Sequence, residues 1–564
     1  MRKSASLLAL AALLVACSPG SGPAANPHGA GASANAGRVL VTMTADEPAI
    51  LTPHRALRGA GAQLRGFVNE ELTYSQRQGA RPVPMLAERL PEFGTDTWRV
   101  FPDGRMETTY VLRPGLTWHD GAPLTAEDFV FSFRIFQAPE FGVAGEFPTV
   151  LWEEIVARDA QTLVIRWRSS YPFADEMTDV GTPLPRHRLE AAFDQSPSAQ
   201  AFMAISFFTT DEYVGAGPYR LDRWERGAFM ELSAFVAYGL GKPRIDRVNI
   251  LFVPNPNTAL ANVLAGEVHM GAISGTLGIE QATVLRDQWV SAGRGTVLLI
   301  PASLRHVQIQ LKEEYTSPRE ILDVRVRRGF AAAINKQDLV EGLLAGQGQP
   351  AEAMVPPTVE YYAAVERAIQ KHPYDPNRAQ QLFMEAGLVR GSEGAYSTGS
   401  GERFSVEHRS TPGFDREGAI LADGWRKVGV DVRERTLSPA EDADRVLRST
   451  FPAFGTANSS LDEIGLYRRN ASSYIAGPAN NWNNQNRGGY SNPEYDRLYD
   501  VLNSSLIRQE RFDAVASMER ILSTDLPYFN LYYSMVVRHW SSELMAPTSF
   551  SDGGALNLHE WRWR

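Results

Sequence analysis

The sequence predicts an α/β protein built from more than one lobe, and three observations carry that expectation. From Val39 onward, short β-branched runs alternate with amphipathic helical patterns. The chain has 564 residues, several times the usual domain size, so each lobe can bury a core of its own. No fixed repeat period underlies the alternation, which argues against a solenoid or propeller.

Taken in order, the chain opens on MRKSASLLALAALLVACSPG, with Arg2 and Lys3 ahead of an apolar run from Leu7 to Ala16. That run is about half of the ~20 residues a membrane-spanning helix needs, so residues 1–17 read as a signal peptide. Leu14-Val15-Ala16-Cys17 resembles the bacterial lipobox, in which the cysteine becomes the lipidated first residue of the mature chain. The alternative is an incidental cysteine in an ordinary signal. Cys17 is the single cysteine of the chain, so no internal disulfide or cysteine-based metal cluster can form. Residues 18–37 are rich in Gly, Pro and Ala with almost nothing to bury, and are expected to be a flexible tether.

The clearest strands are VLVTMT at 39–44, ETTYVLR at 107–113, TLVIRWR at 162–168, RVNILFV at 247–253, TVLLIPA at 296–302 and HVQIQL at 306–311. Several helices carry their own punctuation. In YDPNRAQQLFMEAGL, Asp375 caps, Pro376 takes the first helical position, Ala379, Leu382, Phe383 and Ala386 share a stripe, and Gly387 stops the helix. In ILADGWRKVGVDVRER, Leu421, Trp425 and Val428 share a face before Gly429, and Val430 with Val432 begins a strand. In SNPEYDRLYDVL, Asn492 caps and Tyr495, Leu498 and Leu502 face inward.

The densest chemistry lies in LRPGLTWHDGAPLTAEDFVFSFR, where His119 and Asp120 invite an acid/base or metal reading. Most of its polar residues have structural tasks instead. Thr125 with Asp128 fits a helix N-terminus whose acidic side chain reaches back to the cap, Glu127 and Asp128 favour the positive end of the helix dipole, and Asp120-Gly121 is a turn signal. His119 alone has no such task, and no second histidine stands at metal-ligand spacing. The expectation is a structural corner. Glu70-Glu71 and Glu153-Glu154 are expected to be ordinary solvated pairs.

Charge excludes one class of partner. With 56 Lys and Arg against 65 Asp and Glu, the net charge is -9, which gives no basis for gripping nucleic acid.

The same LRPGLTWHDGAPLTAEDFVFSFR segment resembles the signature of the extracellular solute-binding proteins of family 5, the peptide- and nickel-binding receptors of ABC importers. PVPMLAERL at 82–90, VGAGPYRLDRW at 214–224, LANVLAGEV at 260–268, DVRVRRGFAAAINKQDLV at 323–340, YDPNRAQQLFMEAGL at 374–388 and GYSNPEYDRLYD at 489–500 extend the likeness in the family's order. The resemblance implies a two-lobed periplasmic-binding-protein fold with an extra subdomain on the first lobe. Carried onto this chain, the first lobe comprises 38–68, 214–301 and 528–564, the extra subdomain 69–213, and the second lobe 302–527, with chain crossings near Pro301 and Pro527. It further implies a lipid-anchored monomer in the periplasm or on the outer cell surface. That protein would hand a peptide-like small solute to permease subunits, without cofactor, metal or catalytic residue.

Peptide-binding members hold the ligand's amino terminus with an Asp in a loop of the second lobe. The matching stretch FPAFGTANSSLDE places Asn458 there, which supplies no full negative charge to an ammonium, with Asp462 the nearest substitute. In EHRSTPGFDREG, Arg409 falls near where such receptors place an arginine for the ligand carboxylate, and a surface charge is its alternative. His269 in GEVHM stands where the family usually shows Asp, and reads as a local structural difference. Tyr74 and Trp482 are candidate cleft aromatics, with ordinary packing as the alternative. Two other functions remain open: a sensor or chaperone-like receptor on the same fold, and a secreted hydrolase. The hydrolase lacks support from any G-x-S-x-G elbow, H-E-x-x-H helix or phosphate loop.

Overall fold

Fifteen strands organise the fold: β1 (Val39–Thr44), β2 (Trp98–Val100), β3 (Met106–Val111), β4 (Trp152–Ala157), β5 (Thr162–Trp167), β6 (Tyr219–Glu225), β7 (Phe229–Ala234), β8 (Arg247–Phe252), β9 (Met270–Gly271), β10 (Gly295–Ile309), β11 (Gln349–Pro350), β12 (Ser405–Ser410), β13 (Asp431–Thr436), β14 (Phe454–Ser460) and β15 (Tyr528–Ser541). They belong to a computed structural model that describes residues 37–52, 64, 66–75, 81–138, 148–177, 181–196, 198–271, 276–461, 463–545 and 557–564. Cys17, the signal segment, the tether up to residue 36 and Asp462 lie outside the described residues.

Eleven of these strands join one sheet in the order β13-β12-β14-β10-β15-β9-β1-β8-β7-β6, with β11 pairing on β15. Its two ends differ in origin. β12 runs parallel to β13 and β14, whereas β1 runs parallel to β8 and β9. The bridge between them is the antiparallel pair β10 and β15, the longest strands of the sheet. Gly295–Pro301 pairs with Met535–Ser541 beside β9, and Ser303–Gln308 pairs with Tyr528–Ser534 beside β14.

The expected strands at 296–302 and 306–311 are therefore one strand. Pro301 has no N–H to give to the ladder, and the register shifts between Pro301 and Ser303, so the proline is absorbed at a bulge instead of ending the strand. The four-stranded antiparallel sheet β2-β3-β5-β4 is separate, and its Trp152 and Trp167 pack edge to face.

Apolar burial follows this division. One large cluster joins Trp118, Trp152 and Trp167 to Leu232 and Ile250. Two others flank the opposite end of the sheet, one around Phe330, Trp425, Phe454 and Phe529, the other around Tyr495, Leu502, Met518 and Tyr533. The helix Pro376–Glu385 starts where Asp375 accepts from the Arg378 N–H at 2.9 Å, and Gly387 stops it at φ +93°. Asn492 caps Pro493–Ser504 in the same way, with Tyr495, Leu498 and Leu502 buried. The helix Asp415–Lys427 buries Leu421 and Trp425 ahead of Gly429.

The polar-rich corner is built as a hydrogen-bond hub. The Asp128 carboxylate accepts from Thr125 N–H at 2.9 Å, from Arg186 N–H at 3.0 Å and from the Trp118 indole at 3.4 Å. His119, without a task in the sequence, has one here. Its Nδ1 accepts from Gly215 N–H at 3.2 Å and its Nε2 donates to the Gly217 carbonyl at 3.0 Å. That tautomer is neutral, and burial pushes the imidazole down to about 4. Gly215 and Gly217 are required in turn, because a Cβ at either would fall 1.9 Å from the Val68 carbonyl oxygen or 2.5 Å from its carbon.

Glu70, two residues after Val68, corrects an expectation: it is buried, and accepts hydrogen bonds from the Tyr238 hydroxyl and from Glu71 N–H. Glu153 and Glu154 are exposed, the latter paired with Arg166. His269 is a backbone prop, accepting from Val41 N–H at 3.0 Å and meeting Trp563 edge to face.

Candidate ligand-binding cavity

Three adjacent strands, β12, β14 and β10, deliver side chains to one cavity of about 570 Å³, within the range of small-solute sites. Arg305 sits in β10 directly across from Asn458 in β14, and Arg409 lies near the end of β12. Asn458 is exposed, so its amide faces open space. The cavity therefore brings together two of the residues singled out by sequence, Asn458 and Arg409. It adds Arg305, Arg448, Arg469 and Arg487, with Asp442 as the one carboxylate among the described residues of its wall. These described residues all lie between Arg305 and Arg487.

The arginines are held to different degrees. Arg305 is 2% exposed and makes a two-pronged pair with Glu417, Nε to Oε2 at 3.0 Å and Nη2 to Oε1 at 2.6 Å, while the Tyr532 hydroxyl donates to the same carboxylate at 2.6 Å. Phe414 stacks on its other side, 3.6 Å from guanidinium carbon to ring centre. Arg409 is held by Glu407 at 2.6 Å and by the Leu447 carbonyl at 3.0 Å. Arg448 donates to the Asp442 carbonyl at 3.1 Å, with the Asp442 carboxylate 3.7 Å away.

Arg487 differs: among the described residues no carboxylate pairs with it. Burial, then Arg448 and Arg469, push its guanidinium down to about 9. His306, next to Arg305, is pushed down to about 3 by burial and by the charges of Arg469 and Arg305.

Trp482 and Tyr74 stand apart from the cavity wall. Trp482 covers the Lys312 ammonium at 5.1 Å and tilts against Tyr315, and Lys312 donates to the carbonyls of Ser449 at 2.7 Å and Ala476 at 3.2 Å. The tryptophan thereby pins the loop that carries Gln485 and Arg487 to the wall. Tyr74 is half-buried in the short pair Thr73–Tyr74 with Val83–Pro84.

Sequence reasoning missed Arg305, Arg448, Arg469 and Arg487. Arg305 did leave a signal, a lone charge inside the apolar strand LLIPASLRHVQI, where burial demands a partner. The others are scattered over three segments that only folding brings together.

Comparison with known proteins identifies the architecture. The sequence profile described as bacterial extracellular solute-binding proteins, family 5 Middle, matches residues 81–465. The oligopeptide-binding protein AppA of Bacillus subtilis is 23% identical over 549 residues, covering 93% of this chain and 92% of that protein. The dipeptide-binding protein of Escherichia coli is 25% identical over 398 residues, covering 65% of this chain and 69% of that one.

Among solved structures, AppA of Bacillus subtilis in complex with a nonapeptide superposes with TM-score 0.69 at 19% identity, covering 94% of this chain and 99% of that one. NikZ of Campylobacter jejuni in complex with Ni(L-His) gives 0.71 at 21%, covering 93% and 99%. At such identities the likeness shows a shared fold, the two-lobed periplasmic peptide-receptor type. The profile spans most of the chain and the fold agrees with it, so this protein belongs to the bacterial extracellular solute-binding proteins of family 5.

Proposed function

We propose that this chain is the substrate-binding subunit of an ABC importer, tethered to a bacterial membrane through lipidated Cys17, which captures a peptide-like small solute and delivers it to permease subunits outside the cytoplasm. In this reading it is a monomer and not an enzyme. The lobes follow the sequence division, 38–68 with 214–301 and 528–564, 69–213 as the added subdomain, and 302–527. Tyr528–Ser534 contributes ladder partners to the second lobe.

The observation that carries the reading is a solute-sized cavity whose described lining runs from Arg305 to Arg487, all within the stretch assigned here to the second lobe, beside the β10–β15 pair that runs on into the first. A wall built by one lobe is what an open receptor presents. Contacts from the other lobe arise only on closure, so solute binding shifts the population toward the closed form. The bulge at Pro301, opposite Met535, is the natural place for that bending.

Small-angle scattering tests it. Addition of solutes from a broad panel of di- to pentapeptides and small organic anions is expected to shrink the radius of gyration with at least one of them. A radius unchanged by the whole panel would sink the receptor reading.

A further inference from the structure

We propose that the solute held in this cavity carries at least two anionic groups, carboxylate or phosphate. The inference rests on the cavity being the solute site.

Three observations carry it. First, the wall presents five arginines and one aspartate, although the chain as a whole has fewer basic than acidic residues, 56 against 65. The cationic wall is thus a local arrangement, opposed to the composition. Second, most of the nearby carboxylates are committed. Glu417 is held by Arg305 and Tyr532, and Glu407 holds Arg409. Asp442 is the exception, its buried Oδ1 3.7 Å from Arg448 and without a hydrogen-bond partner, a single carboxylate against five guanidiniums. Asn458 brings an amide, which can accept a hydrogen bond but adds no charge.

Third, no carboxylate among the described residues pairs with Arg487 on the wall. A cation removed from water is stabilised by an opposite charge, and a bound anion supplies one. Arginine is also the side chain whose planar fork best matches carboxylate or phosphate oxygens in two-pronged fashion. Arg305 and Arg409, braced from behind by Glu417 and Glu407, keep their geometry fixed, while Arg487 contributes charge that no carboxylate among the described residues pairs with, Asp442 offsetting it only from a distance. An anion bridging Arg487 and the braced pair would complete the site.

Isothermal titration of the full-length protein provides the test, with N-acetyl-triglutamate, citrate, pyrophosphate, trialanine and trilysine as probes. At least one of the three anions is expected to bind about tenfold or more tightly than trialanine and trilysine. That binding is expected to weaken markedly as salt rises from about 50 to about 300 mM. R487Q is expected to weaken it by about tenfold or more while the melting temperature is held or raised, since the substitution removes a half-buried charge that no described carboxylate pairs with.

The anions also separate the sources. Preference for N-acetyl-triglutamate identifies an acidic, amino-blocked peptide, citrate a non-peptide polycarboxylate, and pyrophosphate a phosphorylated solute. Tighter binding of trialanine or trilysine overturns the proposal and leaves the receptor function standing. So does anion binding that R487Q leaves unchanged, because the anion then sits elsewhere. Binding of none of the three anions overturns it as well, and compaction with another solute would show that the receptor reading survives.

Discussion

The corner around His119 and the cavity around Arg487 both gather polar side chains, but in the corner the histidine and the carboxylate at its centre are partnered within the protein. There the Asp128 carboxylate collects three donors, and His119 satisfies one N–H and one carbonyl of the Gly215–Gly217 turn. In the cavity, Arg305 and Arg409 are paired while Arg487 is left without a carboxylate among the described residues. A buried polar cluster that closes its own hydrogen bonds specifies shape, and one that leaves charge open specifies a ligand.

The sharpest way to break this contrast is to unpair the part of the cavity that is complete. Arg305→Met would leave Glu417 buried, with only Tyr532 to donate to it. The expected cost is about 3–5 kcal/mol in chemical denaturation, the usual result of removing one partner from a buried pair. A loss below about 1 kcal/mol would mean that the pair contributes little to stability.

The corner gives the next effect. His119→Ala strands Gly215 N–H and the Gly217 carbonyl and opens a gap beneath Phe235, whose ring lies 4.9 Å away. A loss of about 2–3 kcal/mol is expected, with solute affinity nearly unchanged. The penalty also depends on pH. Because folding holds His119 near 4, below its ordinary 6.5, the stability it contributes is full above pH 6.5 and fades as pH falls toward 4. Melting curves of the two proteins should therefore converge in acid. A stably folded His119→Ala that no longer binds solute would move this residue from the scaffold to the site.

What the sequence made legible follows from how locally each feature is encoded. The helix from Pro376 could be read because cap, proline, stripe and Gly387 stop all lie within thirteen residues of chain. The unity of β10 could not, since Pro301 looks like an end until its partner β15, more than two hundred residues away, is seen to pair on both sides of it. Arg409 and Asn458 entered through likeness to a family, and the structure brings them to one cavity. Arg448, Arg469 and Arg487 carry no local mark, because an arginine in a loop reads as solvated until distant segments enclose it. His119 and Glu70 share that difficulty, their partners lying about a hundred residues away or farther.

Glu70 offers the smallest and cleanest refinement, because it asks whether the scaffold side is complete in charge as well as in hydrogen bonds. Burial holds its carboxyl up at about 7, with the Tyr238 and Glu71 hydrogen bonds and the charge of Arg113 only partly opposing the shift. A folded value above the unfolded 4.5 means that the stability Glu70 contributes is fully present below pH 4.5 and is lost as pH rises through 7. Glu70→Gln keeps one oxygen to accept from Glu71 N–H, can turn its NH2 toward the Tyr238 hydroxyl as a donor, and abolishes the ionisation. At pH 8 the variant is therefore expected to be more stable than the parent by about 1–2 kcal/mol, an advantage that disappears by pH 4.5. Denaturation measured at both pH values decides the matter: a variant less stable at pH 8 would show that the ionised carboxylate is the form the fold prefers, and that this side of the molecule also holds open charge.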